Sequence, residues 1–191
     1  MSSTDAPLAP PPTTPVRGAL AAWLATAIGI PLYAVVALAL ASAAAPLARA
    51  LAPDRNTVED LGMFLGVAVT NVAVALVGIP VVAHTLGRVM FSRTSRAPDR
   101  AAARGFVVMG ALLAAPLVVF IAYAQPLHAV GGLYAALAVG VPCGVTAGLT
   151  RALMPWVAAT PVRRGLAAAA GGAGVLGVAY WSTVVLFGFS V

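Results

Sequence analysis

Lysine does not occur in this chain, cysteine occurs once, and only five of its 191 residues are acidic. Each shortage excludes something. A lone Cys143 can form no internal disulfide and no paired-thiolate metal site; within an apolar run it reads as a small hydrophobe. Charged residues make up 8% of the chain, against about a quarter in soluble domains, too few to clothe a surface in water. The chain has neither a phosphate-binding glycine loop nor a His-Glu-x-x-His zinc motif. Its long apolar runs contain no Asp, Glu, Lys or Arg, whereas proton relays, ion-coupled carriers and intramembrane proteases keep such groups inside their spans. The expectation is a non-enzymatic chain with no catalytic residue, no metal and no cofactor.

What the chain does have is apolar sequence, 61% of all positions, and a net charge of +6 carried wholly by eleven Arg. The Arg sit singly or in short loops rather than on one basic face, so membrane topology accounts for them and nucleic acid does not. They also divide the chain into countable runs. Gly18 to Ala48 is 31 residues without a charge, Leu61 to Gly87 is 27, Gly105 to Thr150 is 46, and Gly165 to Val191 is 27. A bilayer core of about 30 Å takes about 20 helical residues. The 46-residue run fits two helices with a turn at Gln125-Pro126-Leu127-His128. The runs therefore predict an all-α polytopic transmembrane bundle of five helices, near residues 19–41, 61–83, 106–124, 129–149 and 166–189. Barrel strands would alternate polar and apolar residues, and these runs do not.

Residues 1–17 form a Pro/Ser/Thr-rich segment around Pro10-Pro11-Pro12. With little apolar surface to offset its ordering entropy, it is expected to be a disordered cytoplasmic tail ahead of a bundle over 18–191. Ala41-Ser42-Ala43 resembles a signal-cleavage site, but the apolar run before it exceeds the usual signal core of about 7–15 residues, so the first span is retained as a helix.

Nine of the eleven Arg fall in one set of connections: Arg17; Arg88, Arg93, Arg96, Arg100 and Arg104; Arg151, Arg163 and Arg164. Short Arg-rich loops stay cytoplasmic. The sequence thus predicts a multi-pass protein of the cell membrane with its N-terminus cytoplasmic and its C-terminus outside. Tyr123, Tyr134, Tyr180 and Trp181 then fall towards the outer interface, and Trp23, Phe91 and Trp156 towards the inner one. Tyr33 lies deeper and is expected to face another helix.

Three spans carry Gly-aliphatic-Pro: Gly29-Ile30-Pro31, Gly78-Ile79-Pro80 and Gly140-Val141-Pro142. Composition or an ancient hairpin repeat would explain them, and helix kinks are the plain reading. Thr57 and Asp60 resemble a capping box at the start of the second span. His84 and His128 fall at opposite membrane faces and cannot act together.

Small and polar residues mark candidate packing faces. Gly140, Gly144 and Gly148 form a repeated Gly-x-x-x-Gly; Gly62 and Gly66 offer the same spacing; Asn71 and Gly78 lie seven residues apart. Absent side chains let helix backbones approach, and a mid-membrane amide seeks a partner on another helix. Gly171, Gly174 and Gly177 line part of the last span. Arg88, Arg93, Arg96, Arg100 and Arg104 are candidates to contact anionic lipid at the cytoplasmic face, at about 1 kcal/mol per Arg, or a protein partner. The leading expectation is a scaffold, regulator or accessory subunit that associates with a membrane-protein partner or a second copy. The alternative is the membrane component of a small-solute transporter energised by a separate ATPase.

Overall fold

A computed structural model describes residues 18–54, 56–95, 98–124 and 128–187. The expected tail, Arg17, Arg55, Arg96 and the Gln125-Pro126-Leu127 turn lie outside them. The described residues are helical with no strand, and five helices are long and apolar enough to cross a membrane. They are α1 (Gly18–Leu51), α2 (Thr57–His84), α4 (Asp99–Tyr123), α5 (His128–Ala158) and α6 (Pro161–Phe187), with a short α3 (Leu86–Arg93) between α2 and α4.

These helices overrun the uncharged runs that announce them. Charges mark where lipid ends, not where a helix must stop, and Arg and Ala are both good helix formers. So α1 continues through Ala43-Ala44-Ala45 and past Pro46 to Leu51, carrying Arg49 with it. Likewise α5 continues through Arg151 to Ala158. At 1.5 Å per residue, the 34 residues of α1 reach about 51 Å.

The centre of the bundle is α1 and α5. In their most apolar windows 39% and 44% of residues are buried, against 17% in each of the other three. Residues from both meet α2 in one core, where Tyr33, Met63, Val67 and Val139 are fully enclosed.

Glycine sets how close the flanking helices come. A Cβ on Gly110 of α4 would stand 2.5 Å from the Cys143 carbonyl oxygen on α5, and one on Gly144 would stand 3.1 Å from the Val107 carbonyl oxygen. Gly148 accepts the Val107 side chain into the space of a missing Cβ. On α6, a Cβ on Gly171 would stand 2.8 Å from Ala27 Cα and one on Gly174 3.1 Å from the Pro31 ring, so their absence lets α6 lie against α1.

Two of the three Gly-aliphatic-Pro sequences share a device. Residues Val74–Gly78 in α2 and Ala136–Gly140 in α5 each form a single π-helical turn, closed by Ile79 N–H to Val74 C=O and by Val141 N–H to Ala136 C=O. Proline lacks the donor that an α-helix needs one turn back and crowds the carbonyl there. A wider turn just before Pro80 and Pro142 removes the conflict without breaking the rod. Gly29-Ile30-Pro31 differs, lying within continuous α-helix.

The cap of α2 sits one residue earlier than its sequence suggests. Asn56, not Thr57, is the N-cap: its Oδ1 accepts from Glu59 N–H at 2.9 Å, and Glu59 Oε2 accepts from Asn56 N–H at 3.4 Å. Asn ranks above Thr as a cap, and Glu at the third position completes the box.

Candidate functional site

Two cavities of 390 and 600 Å³ lie at opposite ends of the bundle, both within the range of ligand pockets, about 300–1,000 Å³. The smaller opens at the end that holds Arg88 and Arg151. The larger opens at the end that holds Arg49.

They use opposite faces of α1. Ala22, Ala25 and Gly29 recur every three or four residues and line the basic-end cavity. Leu38, Ala41, Ala45 and Arg49 line the other from the far side of the helix. Tyr33 borders both. It is 1% exposed, and its hydroxyl donates to Asn71 Oδ1 at 2.6 Å. The Cys143 thiol lies close to the same hydroxyl. The tyrosine that was expected to face another helix and the amide that was expected to need a partner thus meet each other. Both π-turns fall beside this layer, since Val74 and Val139 belong to the core cluster that contains Tyr33.

The basic-end cavity grades from polar to apolar. At its mouth stand Arg88, Ser92, Ser95 and Arg151; deeper walls are Phe106, Met109, Leu113 and Leu117, with Tyr33 among the residues at the far end. Arg151 lies within α5, two residues beyond the expected fourth span of 129–149. It is 7% exposed. Its Nη1 lies 3.5 Å from Oδ1 of Asp99, a carboxylate that is 76% exposed, and its guanidinium sits 5.3 Å from the Phe91 ring centre.

Three buried polar atoms on the cavity side of α5, Thr146 Oγ1, Thr150 Oγ1 and Arg151 Nε, have no hydrogen-bond partner among the described residues. Threonine in a helix ordinarily bonds back to the carbonyl four residues earlier. Thr26 does so to Ala22 and Thr70 to Gly66. A buried donor left unmet costs about 1–3 kcal/mol, so three at one cavity mark a site rather than packing.

Three other arginines, Arg164, Arg163 and Arg49, have partners of their own. Arg164 Nε and Nη2 both donate to the Ala158 carbonyl, at 3.0 and 2.6 Å, and Arg163 Nη1 donates to the Trp156 carbonyl at 3.3 Å. These bonds close the C-terminal end of α5. Arg49 stands 5.0 Å over Phe64 with Asp60 at 3.7 Å.

The remaining sequence candidates scatter. Gly140 and Gly144 face Val118 and Val107 of α4, and Gly148 meets Val107 and Ala103, so this stripe is covered within the chain. Gly62 has nothing within 4 Å of its Cβ direction, and Gly78 has only its own helix. Gly66 supplies the carbonyl that Thr70 bonds. The basic stripe is not continuous: Arg88 and Arg93 belong to α3, Arg100 and Arg104 to α4 beyond Pro98. Pro98 interrupts the helical register because it cannot supply the backbone donor. His84 stacks edge-on to Trp23, and His128 meets the Ala122 carbonyl at the other end.

Sequence reading misses Gly110, Thr146, Thr150 and the burial of Arg151. Their signal was present in the spacing of Cys143, Thr146, Thr150 and Met154, which places all four on one face of α5. Comparison with protein-family models, curated proteins and solved structures yields no match.

Proposed function

We propose that this chain is a multi-pass protein of the cell membrane that carries a small solute between its two cavities. The observation that supports the reading is the pair of cavities that open at opposite ends and meet only at the Tyr33–Asn71 layer. Exposed Val35, Leu112, Phe120 and Leu176, each about two-thirds bare or more, suit acyl chains as their solvent and not water. Orientation follows the Arg distribution, with the Arg88–Arg151 end cytoplasmic and the Arg49 end outside.

In this reading Tyr33 and Asn71 form the barrier, and the π-turns of α2 and α5 are the points where the rods can bend. The acids of the described spanning helices, Glu59, Asp60 and Asp99, stand in first turns and not in mid-span, so a separate ATPase is the proposed energy source, docking on α3 and its Arg88 and Arg93. Anionic lipid at the same face is the competing partner. The scaffold reading has less to stand on, because the Gly140–Gly148 stripe packs against α4 of the same chain.

The test is purification in native-lipid particles followed by identification of stoichiometric partners, with and without Arg88 and Arg93 replaced by Gln. A bound ATPase that is lost on replacement supports the carrier. A stoichiometric membrane protein with no ATPase returns the scaffold reading.

A further inference from the structure

We propose that the basic-end cavity binds a single-chain anionic amphiphile, a medium-length fatty carboxylate. Its head lies at Arg151 and Arg88 and its chain runs towards Tyr33. The inference rests on the carrier reading for the ligand's passage, while binding is tested separately.

Charge selects the head. Arg151 is almost wholly buried, yet among the described residues its ion pair is with a carboxylate that is itself exposed, and its Nε has no hydrogen-bond partner. A guanidinium offers five donors in a planar fork that matches a carboxylate through two parallel bonds. An incoming carboxylate would meet the guanidinium at the edge that lines the cavity. Arg88 adds a second cation at the mouth, where its Nη2 passes over Gly18 at 3.4 Å from the Cβ direction. At the opposite end Arg49 also has a carboxylate, Asp60 at 3.7 Å, and a ring, Phe64, but its side chain is 61% exposed, so water competes for it and the same ligand has a weaker seat there.

Shape selects the tail. From Arg151 to Cys143 is eight residues of α5, about 12 Å of helix, walled by Met109, Leu113 and Leu117. A volume of 390 Å³ is near the lower limit of ligand pockets, which suits one chain and not two. An apolar depth under a cationic rim matches a molecule with one apolar end and one anionic end. Beside Thr146 and Thr150 the depth is walled by apolar side chains, which would leave most polar groups of a wholly hydrophilic solute unpaired.

The test uses the full chain in discs of neutral phosphatidylcholine and a decanoate that bears a diazirine. After irradiation the labelled peptides are mapped by mass spectrometry, with unlabelled decanoate, decanol and decylamine as competitors. Labelling on α4 and α5 that decanoate suppresses at a concentration at least tenfold below that of decanol supports the proposal. Arg151→Gln is expected to weaken labelling at least tenfold, with Arg151→Lys intermediate. Equal competition by all three compounds, or labelling confined to the outer face of α6, overturns it. So does loss of labelling in discs that contain phosphatidylglycerol, which would make a bilayer lipid the occupant. Should Arg151→Gln fail to fold, the competitor series on the unaltered chain decides the matter alone. Labelling without flux of decanoate in vesicles supports the site and removes the carrier reading. Flux of another solute without labelling overturns the site and leaves the carrier.

Discussion

The Tyr33 hydroxyl donates to Asn71 Oδ1 at 2.6 Å and joins α1 to α2 at the level where both cavities end. Hydrogen bonds between membrane helices average about 0.6 kcal/mol and reach about 1.7 at most. Tyr33→Phe and Asn71→Leu are each expected to lower stability by roughly 1 kcal/mol or less, the double variant losing little more than either. Unfolding equilibria of the four proteins in one detergent would measure the coupling. Tyr33→Ala removes the ring as well and is expected to raise passive solute entry into vesicles several-fold. An unchanged leak would deny Tyr33 its role as a barrier.

Close approach at α4 and α5 gives a second prediction. Gly110→Ala would drive a methyl group into the Cys143 carbonyl and within 3.0 Å of the Ala147 Cβ. Backbone cannot step aside as a side chain can, so the expected loss is about 1–3 kcal/mol. Gly172→Ala, with nothing within 4 Å, should stay within about 0.5 kcal/mol of the parent. Thermal denaturation of the two variants side by side checks the contrast. Equal stability would mean that α4 and α5 do not pack as closely as this geometry requires.

The five rods were legible because lipid demands long apolar runs, and charge interrupts them at countable intervals. Their ends were not, because helix propensity carries Ala43–Leu51 and Thr150–Ala158 onward past the apolar limit. The site depends on those ends. Arg151 looks like the first residue of a loop in the sequence, and only the extra turns of α5 bring it under α3 and beside Asp99. Asn71 and Tyr33 each stood out as deep polar groups, but pairing them needs the relative rotation of α1 and α2, which no single run encodes. Gly148 was legible as a packing residue, whereas its neighbour was not: Gly-x-x-x-Gly says that something comes close and is silent on what does.

Orientation supplies a third prediction. In a Cys143→Ala background, a cysteine at Asp54 should react with an impermeant maleimide in intact cells, and one at Ser95 only after permeabilisation. Asp54 follows α1 and Ser95 follows α3, so the two report opposite ends of the bundle. The Arg distribution places the Ser95 end inside. The reverse labelling pattern would invert the protein and put the Arg151 cavity outside.

The last prediction separates an anion site from a structural pin at Arg151. If the guanidinium serves only to tie α5 to the start of α4, removing either charge should weaken the fold alike, since each leaves its partner unpaired. The exposure of the two groups argues otherwise. Asp99 keeps most of its water, and an ion pair with one solvated partner contributes about 0–1 kcal/mol. Asp99→Asn is therefore expected to leave the melting temperature nearly unchanged while it frees Arg151 Nη1 and tightens carboxylate binding several-fold. Arg151→Gln should abolish that binding whether or not Asp99 is present. Melting curves and decanoate competition on the two single variants and the double variant measure both effects. A large loss of stability in Asp99→Asn with no gain in affinity would make the pair a structural one.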